Sequence, residues 1–144
     1  AQSRLRMGQR AEAIADFTRL ANTASSAAFQ AAARLALSRL TGEDGLAAAA
    51  RDAADRFPTD PVVQFEAGLT FAVLGTQDAA ARSFDAATEA APLLAYAYYQ
   101  AGLAYSKLER PDLTVTRFET FVRLAPAAPE RPQVESILRA ARGR

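Results

Sequence analysis

Cysteine, histidine and tryptophan are all absent from the 144 residues. Without cysteine there is no disulfide and no thiol nucleophile. Without histidine there is no Ser-His or Cys-His catalytic pair, and the two absences together remove every Cys/His zinc site. Much enzyme chemistry is thereby excluded, although lack of thiols is compatible with reducing and oxidising compartments alike. Charge of one sign is also missing. Seventeen basic residues against sixteen acidic ones leave a net charge of +1, so long-range electrostatics recruits neither nucleic acid nor an anionic membrane surface. Lysine is nearly absent, Lys107 standing alone among arginines, a compositional hint of a GC-rich bacterial genome. The longest uncharged stretch, Ala90 to Ser106, contains Pro92, Gln100 and four tyrosines and falls short of the ~20 residues a membrane span needs. It reads as a buried helix of a soluble protein.

The first residues, Ala1 to Met7, offer neither an initiator methionine nor a basic-then-apolar secretory segment, so the natural start is expected upstream. What the chain does have is alanine, about a quarter of all residues, a strong helix-forming bias. It also has internal periodicity. Pro58, Pro92 and Pro126 fall 34 residues apart, and Gly68/Gly102, Phe71/Tyr105 and Phe84/Phe118 keep the same step. Four distinctive residue types agreeing on one interval mark a repeat.

Inside each period the apolar residues recur at helical spacing. From Phe65 to Leu74 they surround Gly68 too widely for one stripe, which predicts an inner helix covered on several sides. From Gln77 to Ala91, Ala80, Phe84 and Ala87 share one face while Asp78, Arg82, Asp85 and Glu89 take the other, predicting an outer helix with one wet face. Gly75 suits a left-handed C-cap and Thr76 an N-cap between them. Asp60-Pro61 opens an inner helix, and Pro111 opens an outer one. Earlier, Ser25 or Ser26 caps a helix running to about Leu40, Gly42-Glu43-Asp44 turns, and an outer helix ends near Phe57-Pro58. Gly8-Gln9-Arg10 resembles a turn, followed by Ala13, Phe17 and Leu20 on an outer-helix face whose inner partner is mostly missing. Such an incomplete edge exposes Ile14, Phe17 and Leu20 and predicts self-association through it. After Pro126, Val134, Ile137, Leu138 and Ala141 form one face of a helix from Arg131 to Arg142, with Gln133, Glu135, Arg139 and Arg142 opposite.

With these residues the chain resembles the tetratricopeptide repeat, a 34-residue helix-turn-helix unit. Residues 61–94 match through Gly68, Phe71, Ala80, Phe84, Ala87 and Pro92. Residues 95–128 match through Tyr98, Gly102, Tyr105, Phe118 and Pro126, with Thr114 and Phe121 where the family prefers alanine. Residues 27–60 form a degenerate unit: Leu37, Ala53 and Pro58 fit, but Arg34 falls at the small position and Ala50 at the aromatic one. Residues 1–22 read as a partial repeat, with a step of 33 from Phe17 to Ala50, and 129–144 as a capping helix. The resemblance implies an all-α, right-handed α-solenoid whose inner helices line a concave surface that binds other proteins. Two-helix units of this size must stack to bury their apolar faces, and Gly68 and Gly102 read as points where a neighbouring helix approaches closely, leucine being too large there.

The resemblance also places a groove. Its positions fall on Val62, Phe65, Leu69, Ala72 and Val73 in one inner helix and on Tyr96, Tyr99, Leu103, Ser106 and Lys107 in the next. Arg39 and Lys107 would add a weak basic rim. The lysine and asparagine with which some family members clamp a carboxylate are replaced by Phe65/Leu69 and Tyr99/Leu103. The expected partner is therefore an apolar or amphipathic protein segment, tyrosine offering apolar area with a polar tip. In the competing reading these side chains merely pack against neighbouring helices. Two other functions stand beside the binding scaffold: a regulatory or targeting segment of a larger enzyme or signalling protein, and a structural spacer.

Nothing in the sequence argues for catalysis or a cofactor. Glu43/Asp44 suit a helix start, Asp52/Asp55 a solvated face, and Ser25-Ser26 a cap without a base to activate it. Gly42 and Gly45 lack phosphate-loop spacing. Asp78/Arg82 and Glu119/Arg123 are spaced for helix-surface pairs. Arg4, Arg6, Arg10 and Arg139, Arg142, Arg144 cluster at the two ends without the interleaved aromatics of a single-strand binder, so nucleic acid is not expected.

Overall fold

The computed structural model describes residues 27–42 and 44–143, and among them every regular element is a helix. In chain order these are α1 (Ala27–Thr41), α2 (Leu46–Arg56), α3 (Pro61–Val73), α4 (Gln77–Ala90), α5 (Ala95–Lys107), α6 (Pro111–Leu124) and α7 (Arg131–Arg142). No described helix is long and apolar enough to cross a membrane. The turn at 8–10, the face of Ala13, Phe17 and Leu20, the Ser25/Ser26 cap, Glu43, the arginine cluster at 4–10 and Arg144 lie outside the described residues.

The 34-residue step is written into the backbone. α3 and α5 begin 34 residues apart, as do α4 and α6. Phe57, Ala91 and Ala125 close the outer helices with nearly the same dihedrals, φ −129, −137 and −132. Each then accepts from the amide three residues on, at 3.0 to 3.2 Å. The recurring prolines, Pro58, Pro92 and Pro126, are the second residues of these turns, where the fixed φ of proline is preorganised. A side chain of the following segment fastens each turn. Gln64 Nε2 donates to the carbonyls of Ala54 and Phe57 (3.0 and 3.1 Å), the Tyr98 hydroxyl to Pro92 (3.0 Å), and Arg131 Nη1 to Pro126 (2.8 Å).

Within each unit the turn is a left-handed C-cap. Gly75 has φ +81, and Thr76 N–H reaches back to Phe71 O at 2.9 Å. One unit later Glu109 takes the same conformation at φ +58, and Arg110 N–H meets Tyr105 O at 2.9 Å. This six-to-one bond satisfies carbonyls that the helix end would orphan. Thr76 stands at the N-cap of α4, but its side chain makes no capping bond. The backbone turn sets that boundary instead. Asp60 does cap α3, accepting from Val63 N–H at 2.9 Å ahead of Pro61.

α3 packs against α1, α2, α4 and α5, which explains why six of its residues are buried on more than one side. α4 buries Ala80, Phe84 and Ala87 on one face, as its spacing predicts. The Phe84 ring lies over Gly68: a Cβ there would come within 2.6 Å of it. Phe118 covers Gly102 in the same way. α7 packs on α6 through Val134 and Leu138, joined by half-buried Ile137 and Ala141.

The degenerate unit differs in register. In α1 the buried residues are Ala32, Ala33, Leu35 and Ala36. They correspond to Ala67, Gly68, Thr70 and Phe71 of α3 at a step of 35, whereas Ala50 and Ala53 of α2 match Phe84 and Ala87 at a step of 34. The small position opposite Ala50 therefore belongs to buried Ala33, and Arg34, expected there, is exposed. One residue of slippage turns a helix by about 100°, enough to bring the charge out to water.

Candidate functional site

The residues expected to line a groove divide into two kinds. Val62, Val73 and Tyr96 are exposed, at 46, 67 and 39 %, together with Ser106 and Lys107. Phe65, Leu69, Ala72, Tyr99 and Leu103 are half-buried. Phe65 meets the Phe84 ring edge-on at 5.7 Å between centroids, and Leu69 packs on the same core. Tyr99 lies between Phe118 and Phe121, at 6.1 and 5.0 Å, and Tyr96 makes an edge contact with Phe121 at 5.4 Å. Phe121, fully buried where the preceding unit has Ala87, is thus the centre of an aromatic cluster that also meets Val134 and Leu138. Sequence spacing offered no sign of this cluster because its members lie on three helices.

Polar groups at the edge of this surface are largely bound. The Tyr96 hydroxyl donates to Glu130 Oε1 at 2.8 Å, which holds its pKa above the ordinary tyrosine value. Burial raises Tyr99, and the negative charge of Glu130 adds to it. Both phenols therefore stay neutral at neutral pH, and that of Tyr96 acts as a donor. Arg39, read from the sequence as part of a basic rim, is held within the fold. Its guanidinium bonds Glu66 Oε2 at 2.8 Å, Glu66 O at 3.3 Å and Thr70 Oγ1 at 3.2 Å, with 17 % of the side chain exposed. The register shift of α1 carries it onto the seam with α3. Lys107 stays exposed at the C-terminal end of α5.

A second polar cluster ties the outer helices. Arg117 of α6 reaches Asp85 of α4 through Nε and Nη2, at 3.1 and 3.3 Å. The hydroxyl of Tyr105 donates to the same carboxylate, and the guanidinium lies over the Tyr105 ring at 5.4 Å. Burial, and then the bond to Asp85, raises Tyr105, while that carboxylate holds Arg117 firmly protonated. Asp85, assigned by its spacing to a wet face, is half-buried here. Of the surface pairs expected at four-residue spacing, Glu119 turns instead to Arg142 (2.6 Å), and Asp78 forms no ion pair among the described residues. Asp52 and Asp55 are exposed on α2, Asp52 lying 3.8 Å from Arg56.

No family model matches this chain, and no curated protein matches it either.

Proposed function

We propose that the chain is a tetratricopeptide-like α-solenoid that binds a protein partner along its stacked inner helices and carries out no chemistry. The observation that carries this reading is positional. α3 and α5 pack side by side, and equivalent positions one period apart, Val62/Tyr96 and Val73/Lys107, are exposed on both. Val62 and Tyr96, left in water at matching positions, and Val73 beside the equivalent Lys107 offer a partner apolar contacts on both helices, with half-buried aromatics between them. The occupant that fits is an amphipathic segment with apolar residues toward Val62, Val73 and Tyr96. Lys107 attracts an acidic flank.

The test uses the partner recovered by pull-down with the intact protein, its affinity then measured by calorimetry. Val73→Glu changes a group open to water; Tyr96→Ala also removes an edge contact with Phe121 and the bond to Glu130, so its thermal unfolding is compared with the parent's before its affinity is read. Each should weaken binding about tenfold or more, the loss of one well-placed contact, while Arg123→Glu on α6 should leave it unchanged. Full affinity in both variants, with loss in the α6 variant, would move the interaction to the other face.

A further inference from the structure

The two seams between successive outer helices are built differently. Between α4 and α6 the seam is closed by Asp85, Tyr105 and Arg117. One period earlier, between α2 and α4, the equivalent residues are Arg51, Phe71 and Ser83. An arginine stands where the carboxylate was, a hydroxyl where the arginine was, and a ring without a hydroxyl where the tyrosine was. That seam holds an open cleft of about 460 Å³ lined by these three residues and by Arg82, Gln64 and Asp55 among others. Among the described residues neither Arg51 nor Arg82 is in an ion pair. Ser83 is 5 % exposed and lines the cleft; its hydroxyl makes no hydrogen bond to another described residue and is not sealed in the core, so it is open to the water of the cleft. Gln64 has committed only its amide NH2, to Ala54 and Phe57.

We infer that the α2–α4 cleft is a docking point for an acidic side chain of a partner protein, whose carboxylate takes the place that Asp85 fills in the next seam. Charge and hydrogen-bond complementarity favour a carboxylate there. Arg51 and Arg82 supply positive charge from the two walls, and the Ser83 hydroxyl supplies a donor at the floor. Phe71 gives the apolar backing that the Tyr105 ring gives to Arg117. Asp55, exposed on α2, is the one acidic group among the described residues that line the cleft, against the two arginines. The cleft opens between the outer helices, with Gln64 and Phe71 of α3 among its lining residues, and shares no residue with the strip of Val62, Val73 and Tyr96.

The probe is acetyl-tetraglutamate amide, titrated into the full chain and followed by two-dimensional NMR. Saturable shifts are expected at the Ser83 amide and at the Arg51 and Arg82 Nε–H groups, weakening as salt is raised. Arg51→Glu, a change at an exposed position, should weaken the peptide about tenfold, the worth of a charged hydrogen bond. The double variant Arg51→Asp, Ser83→Arg transplants the bridge of the next seam and should abolish the shifts. Tyr96→Ala should leave them intact, which separates this result from the inner-helix reading. Equal shifts with sodium sulfate at matched ionic strength, equal shifts with tetralysine, or full affinity in Arg51→Glu would each overturn the inference.

Discussion

The outer helices α2 and α6 occupy equivalent places in their units and fill them with opposite means. α6 has fourteen residues and inserts Phe118 and Phe121, both fully buried. α2 has eleven and offers Ala50 and Ala53 at the matching positions. A fully buried phenylalanine is worth about 1.5–3 kcal/mol over its exposed state, so the two rings make α6 a far stronger brace than α2. The chain compensates in part on the inner side, where α1 brings Leu35 into the core at a displaced register. One architecture therefore tolerates large changes in side-chain volume, provided both sides of a contact change together.

The largest expected effect lies on the α6 side. Phe118→Ala removes the ring that covers Gly102 and should cost about 3–5 kcal/mol in urea unfolding, as buried aromatic truncations do. A loss below 1 kcal/mol would show that α6 is not the brace described. In α2 the opposite change is informative. Ala50→Phe restores the aromatic of the other units, but Ala50 is fully enclosed, so the added ring should overpack and cost about 1–3 kcal/mol. If that variant were more stable than the parent, the contrast between the two units would rest on an unfilled cavity rather than on a different packing solution.

A smaller effect is expected at the turns. Gly75 and Glu109 share a left-handed conformation, which glycine adopts freely and a side chain does not. Glu109→Gly should stabilise the chain by about 0.5–1 kcal/mol in thermal unfolding, and Gly75→Ala should destabilise it by a similar amount. The smallest effect is that of pH. Tyr96, Tyr99 and Tyr105 all belong to α5, and their folded pKa values lie above the unfolded value of 10.0. Their contribution is complete below about pH 10 and is lost as pH rises through the folded values. With no histidine to titrate, stability should stay flat from about pH 5 to 9 and decline above that range. A transition near pH 6.5 would contradict this.

How far the residues alone foretold these contrasts depended on how distinctive they were. Glycine under phenylalanine and proline at 34-residue steps located α3 to α6 closely, because each has a conformational or steric reason to recur. α1 is different. Ala31, Ala32, Ala33 and Ala36 present no size contrast, so neither its register nor the exposure of Arg34 was legible, and Arg39 moved with it from a rim to a seam. The Asp85–Arg117 tie spans 32 residues, beyond any local pattern. Of the candidate strip, spacing found the inner-helix faces but could not separate Phe65, Leu69, Tyr99 and Leu103, which the neighbouring rings half cover, from Val62, Val73 and Tyr96.

The two central units each seat an outer-helix phenylalanine in the hollow left by an inner-helix glycine, Phe84 over Gly68 and Phe118 over Gly102. A double-mutant cycle on Gly102→Ala and Phe118→Leu, with stability read by urea unfolding, tests this seating most directly. A Cβ at position 102 collides with the Phe118 ring, and leucine at 118 withdraws part of that ring. Each single change should destabilise, and the pair should cost less than the sum by about 0.5–3 kcal/mol, the range for residues in contact. Strict additivity would mean that the two positions do not meet, and the packing described for both central units would be wrong.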